Sequence, residues 1–143
     1  MKSMLSLGAL TALPLLLGGC IVPVSVTPNL CREVSAQDSL QIRLMFGMTR
    51  PDGTTITEGE WQDFLAREVT PRFPAGFSVI SSYGQWYDAA NRRVTKEPSR
   101  LLWIVTVPNR DLLGNLHSIR QDYMQRFSQQ SVGLAIQNGC ASF

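Results

Sequence analysis

Four residues in the middle of the chain have side chains that could together bind a ligand. Arg72 lies in a loop between two prolines, Gln85 and Trp86 are adjacent, and Glu97 precedes a proline. Arg72 offers a rigid fork of donors, and Gln85 offers both a donor and an acceptor. Trp86 adds a flat apolar surface, and Glu97 an acceptor or a general base. If these side chains converge, they form a site for an anionic or planar ligand.

The same residues also have a purely structural interpretation. Charged pairs beside aromatic rings often fasten parts of a fold together, so Arg72 and Glu97 could form an ion pair with Trp86 packed over it. Glu68 lies near the apolar side of the preceding helix and could have the same role. A straight strand would separate Arg72 from Trp86 by about 45 Å. Convergence of all four residues therefore requires a bend, whereas a hairpin alone brings Gln85, Trp86 and Glu97 together.

The sequence predicts no catalytic residue, metal site or cofactor beyond this group. A catalytic triad needs a base, and the only histidine, His117, is predicted on a helix surface without a visible partner. Nucleotide-binding and zinc motifs are absent from the sequence. The 13 Lys+Arg and 11 Asp+Glu residues are scattered, so we expect no nucleic-acid partner.

Hydrophobic periodicity predicts the elements that must position these residues. Alternation predicts strands near residues 40–48, 77–87 and 132–136, with a bulge at Gly84 and a turn at Asn138 and Gly139. The apolar run at residues 101–107 predicts a strand covered on both faces. A capping box at Thr57 and Glu60 starts one helix, and an apolar stripe along residues 112–127 predicts a second.

The predicted order β-α-β-β-α-β is that of a ferredoxin-like α+β sandwich. Its antiparallel sheet has the strand order 4-1-3-2, with both helices on one face. Leu102 and Ile104, beside Met45, are predicted on the other face. Such an apolar surface requires a cover, and a symmetric homodimer through the open sheet face would supply one.

The first residues predict where in the cell the protein is located. Residues 1–19 read as a signal peptide, in which Leu17, Gly18 and Gly19 precede Cys20 as in a bacterial lipobox. Lipidated Cys20 would anchor the chain to the membrane, at the periplasmic face of the outer membrane. The alternative is an uncleaved helix, which the prolines and glycines of this segment disfavour. Residues 20–37 are predicted to be a flexible tether, and residues 38–143 a single domain.

Two cysteines remain once Cys20 carries the lipid. Cys31 and Cys140 lie near the two ends of the predicted domain, in a compartment where disulfides persist. The predicted topology puts the start of strand 1 beside the end of strand 4, so a Cys31–Cys140 disulfide agrees with it. Two separate buried thiols are the alternative.

Several separated motifs resemble a bacterial envelope family known as domain of unknown function 3574. The matching segments occur in order between residues 44 and 107: Phe46 and Gly47, Trp61 and Phe64, residues 70–74, residues 84–86, and residues 97–99. The resemblance implies a secreted or lipid-anchored single domain. It implies no activity and no catalytic residues.

Two functions are compatible with these observations. The favoured hypothesis is a non-enzymatic envelope module that binds a protein or a small ligand, because the sequence lacks a nucleophile-base pair. The alternative is a small enzyme of the dimeric α+β barrel type, in which the sheet face encloses a pocket and Glu97 transfers a proton. A purely structural lipoprotein would need a long repetitive or coiled region, which the sequence lacks.

Overall fold

A computed structural model describes residues 30–89 and 92–143. The predicted signal peptide, the lipidation site Cys20 and most of the predicted tether lie outside these residues. The described elements follow in chain order as three helices, a π-helical turn and four strands: α1 (Leu30–Glu33), β1 (Gln37–Gly47), α2 (Glu58–Phe64), the π-helical turn (Leu65–Val69), β2 (Ser78–Asp88), β3 (Arg93–Thr106), α3 (Leu112–Phe127) and β4 (Gly133–Ala141).

The four strands form one antiparallel sheet in the order β2-β3-β1-β4. This arrangement confirms the predicted α+β fold and its ferredoxin-like strand order. The short helix α1 falls in the segment that was predicted to be a tether.

The hydrophobic core lies between one face of the sheet and the helices. In β1, Ile42, Leu44 and Phe46 are fully buried, as the alternation of this strand predicts. The ring of Phe46 packs edge-on against Tyr123 of α3 and Trp61 of α2, with ring centroids 4.7 and 5.3 Å apart. This aromatic cluster holds both helices against the centre of the sheet.

The predicted position of Leu102 and Ile104 on the open face is wrong. In the antiparallel register they pair with Leu44 and Ile42, so their side chains point toward the helices, where both are buried. The intervening residue Trp103 lies on the open face and is 38% exposed. The strand is therefore covered on one face only, contrary to the prediction.

The start of α2 confirms the predicted capping box. The Glu60 amide donates to the Thr57 hydroxyl over 3.3 Å, and the Thr57 amide donates to the Glu60 carboxylate over 2.9 Å. The helix then widens into the π-helical turn, where the Thr70 amide bonds to the Leu65 carbonyl five residues back. The helical segment ends directly before Pro71, as expected.

Two predicted irregularities are absent from the described strands. Gly84 pairs with Glu97 in an uninterrupted register, so it forms no bulge. Asn138 and Gly139 make no turn, because they pair with Leu40 and Ser39 of β1. Pairing along the whole neighbouring strand outweighs the local turn preference of these residues.

The Cys31–Cys140 disulfide is confirmed. It joins α1 to the end of β4 with the two Cα atoms 5.8 Å apart. Of the helices in the described segments, none has the length and apolar character needed to span a membrane.

Candidate functional site

Glu97 lies on the open face of the sheet, between two glycines. Its partner on β2 is Gly84, while on β1 its carboxyl group extends over Gly47. A β-carbon placed on Gly47 would be only 2.5 Å from the Glu97 Oε1 atom. The Glu97 carboxyl group can occupy this position only because residue 47 has no side chain.

The protein stabilises the neutral form of the Glu97 carboxyl group. Burial raises its pKa, and hydrogen bonds from the backbone amide and the hydroxyl of Thr49 offset this effect only in part. Within the described part of the chain, no salt bridge involves Glu97. A carboxyl group with a raised pKa can donate and accept a proton closer to neutral pH than an ordinary glutamate.

Helix α3 and the loop after it form hydrogen bonds with the end of β1 and with Thr49, next to Glu97. The Tyr123 hydroxyl donates to the Gly47 carbonyl over 2.7 Å. The side-chain nitrogen Nε2 of Gln129 donates to the Thr49 carbonyl oxygen over 2.9 Å. Burial, and then the nearby charge of Glu97, raise the pKa of Tyr123, so its phenol stays protonated and serves as a donor.

The sheet face is open above Gly84, the β2 partner of Glu97, and this space is here called the niche. A β-carbon on Gly84 would meet only the Ser99 hydroxyl, at 4.0 Å. That hydroxyl is hydrogen-bonded to Ser82, with 2.7 Å between the two oxygens. Trp86 lies on the same face two pairs further along, opposite Thr95, and is 44% exposed. The niche thus combines a carboxyl group, two hydroxyls and an accessible aromatic ring.

The structure does not bring the four predicted residues together. Gln85 pairs with Lys96, and because side chains alternate along a strand, it projects from the sheet face opposite to Trp86 and Glu97. The Arg72 guanidinium donates to Glu68 over 2.8 Å and to Asp122 of α3 over 3.4 Å. The predicted Arg72–Glu97 ion pair is therefore replaced by one with Glu68, the residue considered for the same structural role.

Three residues that shape the surroundings of Glu97 were not among the site residues predicted from the sequence. Gly47 was visible in the sequence as a glycine on the polar face of an otherwise alternating strand, a usual sign of close approach by another group. Thr49 and Gln129 carry no such signal, because their contacts exist only in the folded chain. His117 is exposed on α3, as expected.

The described residues include no group of three or more His, Cys, Asp or Glu that could hold a metal ion. The geometry of the niche instead suits acid–base chemistry by a single carboxyl group.

The chain belongs to the family described as "Protein of unknown function (DUF3574)", whose model matches residues 41–143. The resemblance drawn from the separated motifs is thereby confirmed. Among curated proteins, no match to the sequence is found.

Two solved structures share the fold. A phage SAM lyase in complex with S-methyl-5'-thioadenosine superimposes with a TM-score of 0.57 and 17% sequence identity, over 73% of this chain and 90% of the lyase. A phage SAM lyase in the apo state gives a TM-score of 0.54 and 18% identity, over 74% and 89% of the two chains.

These structures overturn the favoured functional hypothesis. That hypothesis, a non-enzymatic binding module, depended on the lack of a visible nucleophile-base pair in the sequence. The fold found here is one that serves an enzyme, so the lack of a familiar motif does not argue against catalysis. The alternative, a small α+β enzyme, agrees better with this finding.

Proposed function

We propose that this chain is a small enzyme whose active site is the niche on the open sheet face, with Glu97 as the group that transfers a proton. The observation that supports the proposal is the state of Glu97, which is partly buried, has a raised pKa and pairs with Gly84, above which the sheet face is open. General acid–base catalysis is most efficient when the pKa of the catalytic group lies near the working pH. Glu97 meets this requirement better than the ion-paired carboxylates of the chain.

The side chains around Glu97 favour a planar, positively charged substrate. Trp86 lies on the same sheet face as the carboxyl group, and aromatic faces attract cations. An adenosyl sulfonium compound combines a planar purine with a positive charge, so it fits this set of groups. The name of the phage lyase points to the same class of compound.

A second copy of the chain would complete the site. In one chain the niche is open to solvent, whereas a partner packed on the sheet face would exclude water. Electrostatic interactions with the substrate are stronger in such an enclosed site. The apolar residues Met45 and Trp103 of this face, 42% and 38% exposed, provide a surface for such a partner.

The proposal is tested by incubating the purified chain with S-adenosylmethionine and measuring S-methyl-5'-thioadenosine by liquid chromatography. We expect product from the unaltered chain and a loss of at least a hundredfold in Glu97→Gln, the usual range for a general acid or base. Glu58→Gln, which removes an exposed carboxylate on α2, is the matched control and should keep full activity. Equal rates for the unaltered chain and Glu97→Gln would contradict the role of Glu97.

Absence of product with the unaltered chain would contradict the substrate class. Calorimetric titration with S-methyl-5'-thioadenosine then tests the niche alone. Binding that is lost in Trp86→Ala would still support an adenosine site at this position.

A further inference from the structure

A cavity of about 380 Å³ lies at the opposite end of the open face. Its walls come from the start of β1, the ends of β3 and β4, and the loop before β2, and include Ser39, Val105, Ala141 and Ala75. Val105 lies eight positions after Glu97 in β3, which corresponds to about 26 Å along the strand. The cavity is therefore separate from the site proposed above.

Ser39 is the polar residue that indicates a ligand in this cavity. It lies on the open face, where its neighbours on alternate positions remain accessible, yet it is only 6% exposed. Its hydroxyl group has no hydrogen-bond partner among the residues that the structure describes. A buried hydroxyl without a partner is unfavourable and uncommon in folded proteins. A bound molecule with a polar atom at this position would satisfy it.

The remaining walls define the kind of molecule that would fit. None of the described residues around the cavity has a charged side chain, and its apolar lining includes Val105 together with the exposed residues Val107 and Phe143. A second cavity of about 280 Å³ shares Val105 and Phe143 and continues to Trp103. The volume of the first cavity alone is within the range of small-molecule sites.

We propose that this cavity binds a neutral, mainly apolar small molecule whose one polar group bonds to the Ser39 hydroxyl. An ion is disfavoured because it would lose its hydration without gaining an opposite charge. The proposal does not rest on the proposed catalytic function, since it uses none of the residues around Glu97.

The disulfide holds two walls of this cavity together. Ser35 follows α1, which contains Cys31, and Ala141 follows Cys140 directly. Bridging the two cysteines keeps the end of β4 beside the turn after α1. Reduction of the disulfide is therefore expected to weaken binding in the cavity.

The test uses N-phenyl-1-naphthylamine, a neutral apolar probe with one N–H donor whose fluorescence rises in apolar surroundings. We expect saturable binding to the full chain, weakened about three- to tenfold in Ser39→Ala, the range for one neutral hydrogen bond. Val105→Trp, which fills the cavity, should abolish binding. Ser82→Ala, on the same sheet face near Glu97, is the matched control and should bind as the unaltered chain does.

Three results would overturn the proposal: no saturable binding to the unaltered chain, unchanged affinity in Ser39→Ala, or unchanged affinity in a folded cavity-filling variant. If Val105→Trp does not fold, as judged by circular dichroism, Val107→Trp fills the cavity from its exposed rim and is expected to abolish binding equally.

Discussion

Glu97 differs from carboxylates such as Asp63 in how its charge is stabilised. Asp63, for example, accepts hydrogen bonds from Arg126 and Arg67, which lower its pKa. Among the residues that the structure describes, no cation pairs with Glu97, and burial raises its pKa. A carboxyl group whose pKa is raised by burial is a candidate functional residue.

We expect Glu97→Gln to keep or increase thermal stability at pH 7. Since its pKa is raised, the folded chain binds the proton more tightly than the unfolded chain. This contribution to stability is present at acidic pH and is lost as the pH rises through the raised pKa. Melting curves of both proteins at pH 4 and pH 7 measure this effect. The melting temperature of the variant should rise relative to that of the unaltered chain only at pH 7. A loss of several degrees at pH 7 would instead indicate an ionic partner for Glu97.

Gly47→Ala is expected to lower the pKa of Glu97 toward its ordinary value. The new β-carbon would be 2.5 Å from the carboxyl oxygen, so the group must move away from its buried position. Burial is the largest cause of the raised pKa, and its loss outweighs the loss of the hydrogen bonds from Thr49. Carbon-13 NMR titration of the Glu97 carboxyl measures the change.

Gly84→Ala is the matched control for this titration, because its β-carbon would enter the empty niche without touching the carboxyl group. An unchanged pKa in Gly47→Ala would contradict the proposed role of Gly47.

At the scale of the elements, Arg72 connects the α2 segment to α3. It contacts Glu68 of the π-helical turn and Asp122 of α3. The two carboxylates respond in opposite ways: the hydrogen bond from Arg72 lowers the pKa of Glu68, whereas burial and the neighbouring Glu68 raise the pKa of Asp122. The arginine therefore stabilises mainly the Glu68 carboxylate.

Glu68→Gln is expected to lower the free energy of unfolding by about 0.5–1 kcal/mol at pH 7, the range for a partly exposed ion pair. Because the pKa of Glu68 is lowered, its contribution is present above the unfolded pKa and is lost as the pH falls through the folded value. Urea denaturation at pH 7 and pH 3 measures the change, which should be smaller at pH 3 than at pH 7. Asp122→Asn should lower the free energy of unfolding at pH 7 by less than Glu68→Gln does. A larger decrease in Asp122→Asn would contradict this assignment.

At the scale of the whole molecule, the open sheet face remains without a cover within the described part of the chain. It carries the niche at one end, the cavity at the other, and the exposed residues Met45, Ile80 and Trp103 between them. A homodimer through this face would bury the apolar residues and enclose both sites.

Trp103→Glu is expected to dissociate this dimer, because it places a charge at the centre of the apolar surface. Light scattering after size-exclusion chromatography should give twice the chain mass for the unaltered protein and the chain mass for the variant. Tyr83→Glu is the control, since Tyr83 is exposed on the other side of the sheet, and it should remain dimeric. A single-chain mass for the unaltered protein at all concentrations would contradict the proposal.

The sequence by itself determined the order of the elements, because the signals that set them are local. The alternation around Ile42 and Leu44 depends on neighbours along one strand, and the capping box of Thr57 and Glu60 spans a single helical turn. The strand order and the disulfide followed from this element order together with the positions of Cys31 and Cys140.

Only the tertiary structure decided which side chains share a face or a site. Leu102 and Trp103 are adjacent in an apolar run, and a shift of one residue in the strand register exchanges their faces. Register is set by pairing with β1 and β2 along the whole strand, so the run itself does not reveal it. The surroundings of Glu97 depend in the same way on Gly47 and Gln129, which are distant in sequence and meet only when α3 packs on the sheet.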